Sequence, residues 1–247
     1  MKKLLIIIAA ICFLSPVTVA QLWRVRRVEV TAGIGTTQFF GDIGGYPNVK
    51  NILGLRDFTF RQTRFNINTS IRYRITEDLS ARVNLMSGLF HSTDARGSNT
   101  ARGFESSTFF VEPSLIAEYY FIKNKEENSF IFLNKNESAI KSFFGSLDFY
   151  AFAGFGGLAY HVKPNDVLAP FVTKTGGFTE VIPLGVGASM VYSAKFNFGV
   201  ELGGRFTYSD NLEGFTSAFR NDVYYVLNFT VTYKINMREK AVRVLRK

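Results

Sequence analysis

Residues 222–235 read DVYYVLNFTVTYKI, and their side chains sort by parity. Val223, Tyr225, Leu227, Phe229, Val231, Tyr233 and Ile235 make one oily face; Asp222, Tyr224, Val226, Asn228, Thr230, Thr232 and Lys234 make a largely polar one. A period of two is that of a β-strand whose two faces meet different surroundings. Length identifies those surroundings. Strands in water-soluble domains have about 5–6 residues, whereas a tilted strand that crosses a bilayer needs roughly 9–11.

The pattern recurs over 27–40, 65–75, 79–90, 108–121, 147–161, 181–192 and 196–208. In the first of these, Val28, Val30, Ala32 and Ile34 alternate with Glu29, Thr31, Gly33 and Gly35. Pro113, inside the fourth, cannot donate to a strand ladder. Long polar connections are expected at 41–63, 91–106, 162–179 and 209–221, and tight turns at 76–78 and 193–195. The connection at 123–146 breaks the rhythm: it is long and charged where a short turn is expected, and an extended hairpin or a small helix outside the membrane is the expectation. The predicted fold is all-β, an eight-stranded antiparallel transmembrane β-barrel occupying residues 28–235, with four long outer loops and short periplasmic turns. One-sided long loops are the asymmetry of bacterial outer-membrane barrels, and an even strand number leaves both termini in the periplasm.

The start of the chain agrees with this destination. Lys2 and Lys3, the apolar run from Leu4 to Leu14 and the small residues Val19 and Ala20 form a secretion signal over 1–20, with 21–27 a periplasmic lead into the barrel. Cleavage would remove Cys12, the only cysteine, and with it any thiol chemistry. It would also take the formal charge from +9 to +7. Aromatic residues make up 15% of the chain, which suits girdles at the two membrane interfaces. The basic charge is spread over strands and ends, with no nucleic-acid-binding motif. Membrane lipid and an acidic protein partner are the expected counterparts.

Eight strands enclose a lumen about wide enough for side chains to fill. The inward faces carry Arg72, Arg74, Arg82, Glu112, Glu118, Glu201 and Arg205, and a structural ion-pair network is the expectation. Catalytic chemistry has a thinner basis. His91 with Ser92, and His161, fall near the outer rim, but adjacent residues on a strand point to opposite faces. No metal or cofactor motif occurs, and the glycine groups at Gly154–Gly157 and Gly185–Gly187 lie in strands, where glycine leaves room for large lumenal neighbours. Two basic clusters fall on the predicted periplasmic side: Arg24, Arg26 and Arg27 before the first strand, and Arg238, Lys240, Arg243, Arg246 and Lys247 in the tail at 236–247. They suit docking of an acidic periplasmic protein, or equally the neutralisation of lipid headgroups beside a disordered tail.

Three strings resemble a known family: FFGDI at 39–43, PLGVGASMVYSAKFNFGVELGGRFTYSDNLEGF at 183–215, and NDVYYVLNFTVTYKI at 221–235. They are similar to the PorG-like outer-membrane β-barrels of Bacteroidetes, which include a component of the type IX secretion system. The string SDNLE at 209–213 matches the acidic, tyrosine-bearing fourth loop of that family only in part. The resemblance implies a non-enzymatic anchor for periplasmic or lipoprotein components of a secretion complex. A standalone structural or adhesive barrel acting through its loops is the alternative from the residues themselves, and a lipid-modifying enzyme or narrow channel a remote one.

Overall fold

The computed structural model describes residues 26–44, 59–95, 99–124, 129–134, 138–172, 174–216 and 221–235. The expected signal at 1–20, Arg24 and the tail at 236–247 lie outside them. Eight antiparallel strands close into a barrel in chain order: β1 (Val28–Phe40), β2 (Arg64–Arg74), β3 (Leu79–Thr93), β4 (Glu105–Ile122), β5 (Leu147–Pro164), β6 (Gly176–Val191), β7 (Phe196–Thr207) and β8 (Val223–Ile235). Closure comes from β1 on β8, in register from Val28↔Ile235 to Phe40↔Val223. The shortest strand, β2, has 11 residues, and β4 and β5 have 18 each. All are long enough to cross a membrane.

The outer face is apolar around the circumference. Ile34, Ile67, Val83, Leu115, Phe155, Val186, Leu202 and Phe229 all stand exposed, Leu115 by 65%. In water such a belt would be untenable; in hydrocarbon it is the required surface. Aromatic pairs mark its edges: Phe196 with Tyr233 at 5.3 Å near the termini, and Phe40 with Tyr225 at 5.5 Å at the opposite end.

Termini and turns share one end. At Ile75–Asp78 the turn is closed by Ile75 N–H donating to the Leu79 carbonyl (2.9 Å) and Leu79 N–H to Thr76 Oγ1 (3.0 Å). The β6–β7 turn is closed likewise, Phe196 N–H donating to Ser193 Oγ at 3.2 Å. The β4–β5 connection, at the same end, contains two short helices, α1 (Phe130–Leu133) and α2 (Ala139–Gly145).

The strands depart from the expected bounds mainly at the loop end. β3 and β4 run on through His91↔Ser107, Ser92↔Ser106 and Thr93↔Glu105, and β5 reaches Pro164. These residues are polar because the hairpins extend past the hydrocarbon, where neither face has to be oily. The same alternation that defines a strand inside the membrane is therefore lost while the ladder continues. A charge in the middle of the belt tests the membrane assignment. Leu115→Arg should lower the unfolding free energy in lipid vesicles by about 2–4 kcal/mol, read by denaturant titration.

Candidate functional site

Among the described residues, the inward side chains contact one another in layers set by strand register. Nearest the termini, Glu29 on β1 takes Arg74 Nη2 at 2.6 Å and Arg72 Nη1 at 2.9 Å. Arg72 Nε reaches Glu118 at 2.6 Å, and Glu118 in turn receives Arg82 Nε at 3.1 Å. Arg82 then forks onto both oxygens of Glu201, which also accepts the Tyr150 hydroxyl at 2.6 Å. The result is one alternating chain of charge across β1, β2, β3, β4 and β7, every member buried. A second, smaller group lies further from the termini: Glu112 with Arg205 (3.3 Å) and the Tyr224 hydroxyl. Phe152 joins the two, with the Arg82 and Arg205 guanidinium carbons 5.3 and 5.8 Å from its ring centre.

All seven charged residues read from the inward faces thus enter these contacts. Glu29 belongs with them and was not among the seven, and Lys234, its cross-strand neighbour, is buried beside it. Parity alone placed both on polar faces; what sequence reasoning lacked was the register, which sets Glu29 opposite Arg72 on β2 and, once the barrel closes, opposite Lys234 on β8. Gly185 and Gly187 lie where an added side chain would strike the rings of Phe152 and Tyr150. These glycines are the clearance the lumenal aromatics need.

Above the charges sits an apolar plug that the sequence pattern did not separate from the polar faces. Phe90 stacks on Phe110 at 4.2 Å and packs on Tyr224 and Phe39 at 4.7 and 5.2 Å, with Met86, Leu158 and Leu212 around them.

At the loop end the two strings FFGDI and SDNLEGF meet. Phe39 and Leu212 enter the plug. Glu213 turns back to accept the N–H groups of Asp42 and Ile43 at 2.6 and 2.9 Å. Asp222 accepts the Leu212 N–H at 2.9 Å, and the Leu212 carbonyl accepts the Thr108 hydroxyl at 2.6 Å. Gly41 has no side chain because one would collide with Glu213 and Phe39, and Gly214 takes φ of +84° to reverse the loop. Asp94 joins the first loop to the second by accepting from Gly44 N–H (2.8 Å) and Arg102 Nε (2.7 Å). Outermost, Ile43, Phe104 and Leu168 form a small core with Val172 and Phe215, and Arg102 lies over the rings of Phe104 and Phe215. The loops therefore cap the barrel with their own packed layer.

Burial pushes the Glu213 carboxyl up to about 8, with the nearby Asp42 charge acting in the same direction. Asp222 is raised by burial and by the Glu213 charge.

The two histidines stand on different strands, His91 on β3 and His161 on β5. His91 Nδ1 lies 3.2 Å from Ser107 Oγ and its Nε2 3.5 Å from Glu105. Ser92 faces inward, toward Glu213. His161 is exposed on β5, opposite Phe109 and Gly176. Of the basic clusters, Arg26 and Arg27 are described. Arg27 adjoins β1 at the termini end and donates to the Tyr73 hydroxyl at 3.1 Å; Arg24, Arg238, Lys240, Arg243, Arg246 and Lys247 lie outside the described residues. Among the described residues no group of three or more metal-ligating side chains comes together.

A scan of protein-family models finds no match, and a search of curated proteins by sequence finds none. Solved structures similar in fold include the N-terminal β-barrel domain of Pseudomonas aeruginosa OprF, at 12% identity over 85% of this chain and 98% of that one, with a TM-score of 0.45. Neisserial surface protein A is similar at 16% identity over 84% and 97%, TM-score 0.42. Escherichia coli outer membrane protein W is similar at 13% identity over 85% and 97%, TM-score 0.41.

Glu118→Gln strands both Arg72 and Arg82 with one carboxylate fewer, and should cost about 3–5 kcal/mol of barrel stability in a urea titration. The loop cap should loosen as pH rises. Between the ordinary carboxyl value of 4.5 and about 8, folded Glu213 keeps a proton that the unfolded chain gives up, so stability falls across that window and levels off above it. Amide exchange at Asp42 and Ile43, corrected for the intrinsic pH dependence, should quicken over the same range, and Glu213→Gln should shrink the change to the part that the raised Asp222 carboxyl contributes.

Proposed function

We propose that this chain is an outer-membrane anchor subunit of an envelope complex such as the type IX secretion system, non-enzymatic, with both termini in the periplasm. The observation that carries this reading is the interlocked lumen. A chain of buried ion pairs from Arg74 to Glu201, an aromatic plug and a packed loop cap leave the interior to structural work. What remains available for a partner is the surface at the two ends.

At the termini end the basic residues Arg26 and Arg27 stand beside β1, and Arg24 and the five basic residues at 238–247 flank the barrel in sequence. Clustered positive charge speeds encounter with an acidic protein and fixes its orientation. Short turns shared with the termini are the periplasmic arrangement of bacterial outer-membrane barrels. The sequence resemblance to PorG-like barrels points to the same role. The organised loop cap favours one second reading, a structural or adhesive barrel that works through its loops.

Gentle detergent extraction of the tagged protein from native membranes, followed by mass spectrometry, separates the two. An anchor should bring periplasmic or lipoprotein secretion components with it, and deletion of 238–247 should lose them. Recovery of the barrel alone would overturn the anchor reading.

A further inference from the structure

The β4–β5 connection carries an inverted surface. In α2 the one buried residue is a serine, Ser142, whose hydroxyl donates to the Ser138 carbonyl at 3.0 Å. Ile140, Phe143 and Phe144, spaced i, i+3 and i+4 on one stripe, point away from the protein and are exposed, as are Ile131 and Phe132 of α1. A helix pair resting on a barrel in water would do the opposite, with its apolar stripe turned inward and its serine out. Helices of 4 and 7 residues also have little stability of their own. They are held by the barrel and by each other: Ile131 N–H donates to the Tyr192 carbonyl at 3.3 Å, Val191 N–H donates to the Ser146 carbonyl at 2.9 Å, and Leu133 packs beside Gly145. The sequence enters this segment through a fixed anchor, with Asp148 accepting from Lys123 Nζ at 2.8 Å and Asn124 N–H at 2.7 Å.

Continuity identifies what covers the exposed stripe. Phe130 stacks on Tyr192 at 6.3 Å, and Tyr192 meets Phe198 edge-on at 5.2 Å. Phe198 belongs to the exposed outer face of β7, so an unbroken aromatic path runs from the membrane belt onto α1. The exposed Lys141 beside the stripe has the reach to place its ammonium among headgroup phosphates while its stem lies over apolar surface.

We propose that α1 and α2 form a phospholipid-binding interfacial foot, lying in the plane of the leaflet at the termini end with Ile131, Phe132, Ile140, Phe143 and Phe144 in the acyl boundary. Such a foot fixes the depth of the barrel and holds its termini end against the membrane surface. The inference rests on the membrane-spanning reading of the barrel and is independent of the anchor role.

Single tryptophan reporters test it. In a Trp23→Phe background, Phe132→Trp, Ile140→Trp and Phe143→Trp are made separately in the full barrel chain and refolded into phosphatidylcholine vesicles, with folding scored by heat-modifiable gel migration. Leu115→Trp serves as the belt reference. Each foot reporter should emit to the blue of free tryptophan, be quenched by lipids brominated near the headgroup end of the acyl chain, and be shielded from aqueous acrylamide. Full acrylamide quenching without bromolipid quenching, while Leu115→Trp behaves as lipid-buried, overturns the foot and leaves the barrel reading intact. A photo-crosslinker at Phe144 in native membranes gives the second measurement: lipid adducts support the foot, and a protein adduct assigns the stripe to a protein partner and overturns it.

Discussion

A backbone amide in hydrocarbon has no water to bond, and leaving it unpaired costs several kcal/mol. Every strand of this chain answers to that constraint, and the closure of β1 on β8 satisfies it for the two strands that would otherwise be edges. The remaining design follows. Closing eight strands makes a narrow interior, so every second residue faces a confined space and every other one faces lipid. The outward residues become a uniform apolar belt; the inward ones have to fill a volume and satisfy one another.

The interior meets that demand in two ways that differ with depth. Toward the termini it uses charge, with Glu29, Arg72, Arg74, Glu118, Arg82 and Glu201 linked so that Glu29, Arg72, Glu118 and Arg82 each bridge two counter-ions and Glu201 adds a hydroxyl partner. Burying charge costs solvation, and shared partners offset that cost only while the whole set remains intact. Toward the loops it uses rings, with Phe90, Phe110, Phe39 and Tyr224 packed as in the core of a soluble domain. Glu112 and Arg205 sit at the boundary and tie the rings to the ions through Tyr224 and Phe152. Above them the loops add carboxylates held by backbone N–H groups and a small apolar cap.

The two ends of the barrel therefore differ in kind. The loop end is closed over by its own contacts, with two sequence strings interlocked through Glu213. The termini end offers Arg26 and Arg27 beside β1 and a helical connection with exposed apolar side chains.

Parity and strand length together determined much of this. The eight strands, their faces, the tight turns and the identity of seven lumenal charges were legible because alternation over more than ten residues has few other physical causes. The limits of β3, β4 and β5 were not legible, since strands beyond the membrane have no oily face to announce them. The partners of the lumenal charges were not legible either. Arg82 pairs with Glu201 across more than a hundred residues of chain; Glu29 gains its counter-ions from β2 through the β1–β2 register, and a buried lysine neighbour from β8 only after the barrel closes. The same holds for Glu213 beneath Asp42 and for the outward-turned stripe of α2. A sequence records which residues share a face of one element, but which faces meet is decided by closure, because the contacts that select it join residues the chain itself keeps far apart.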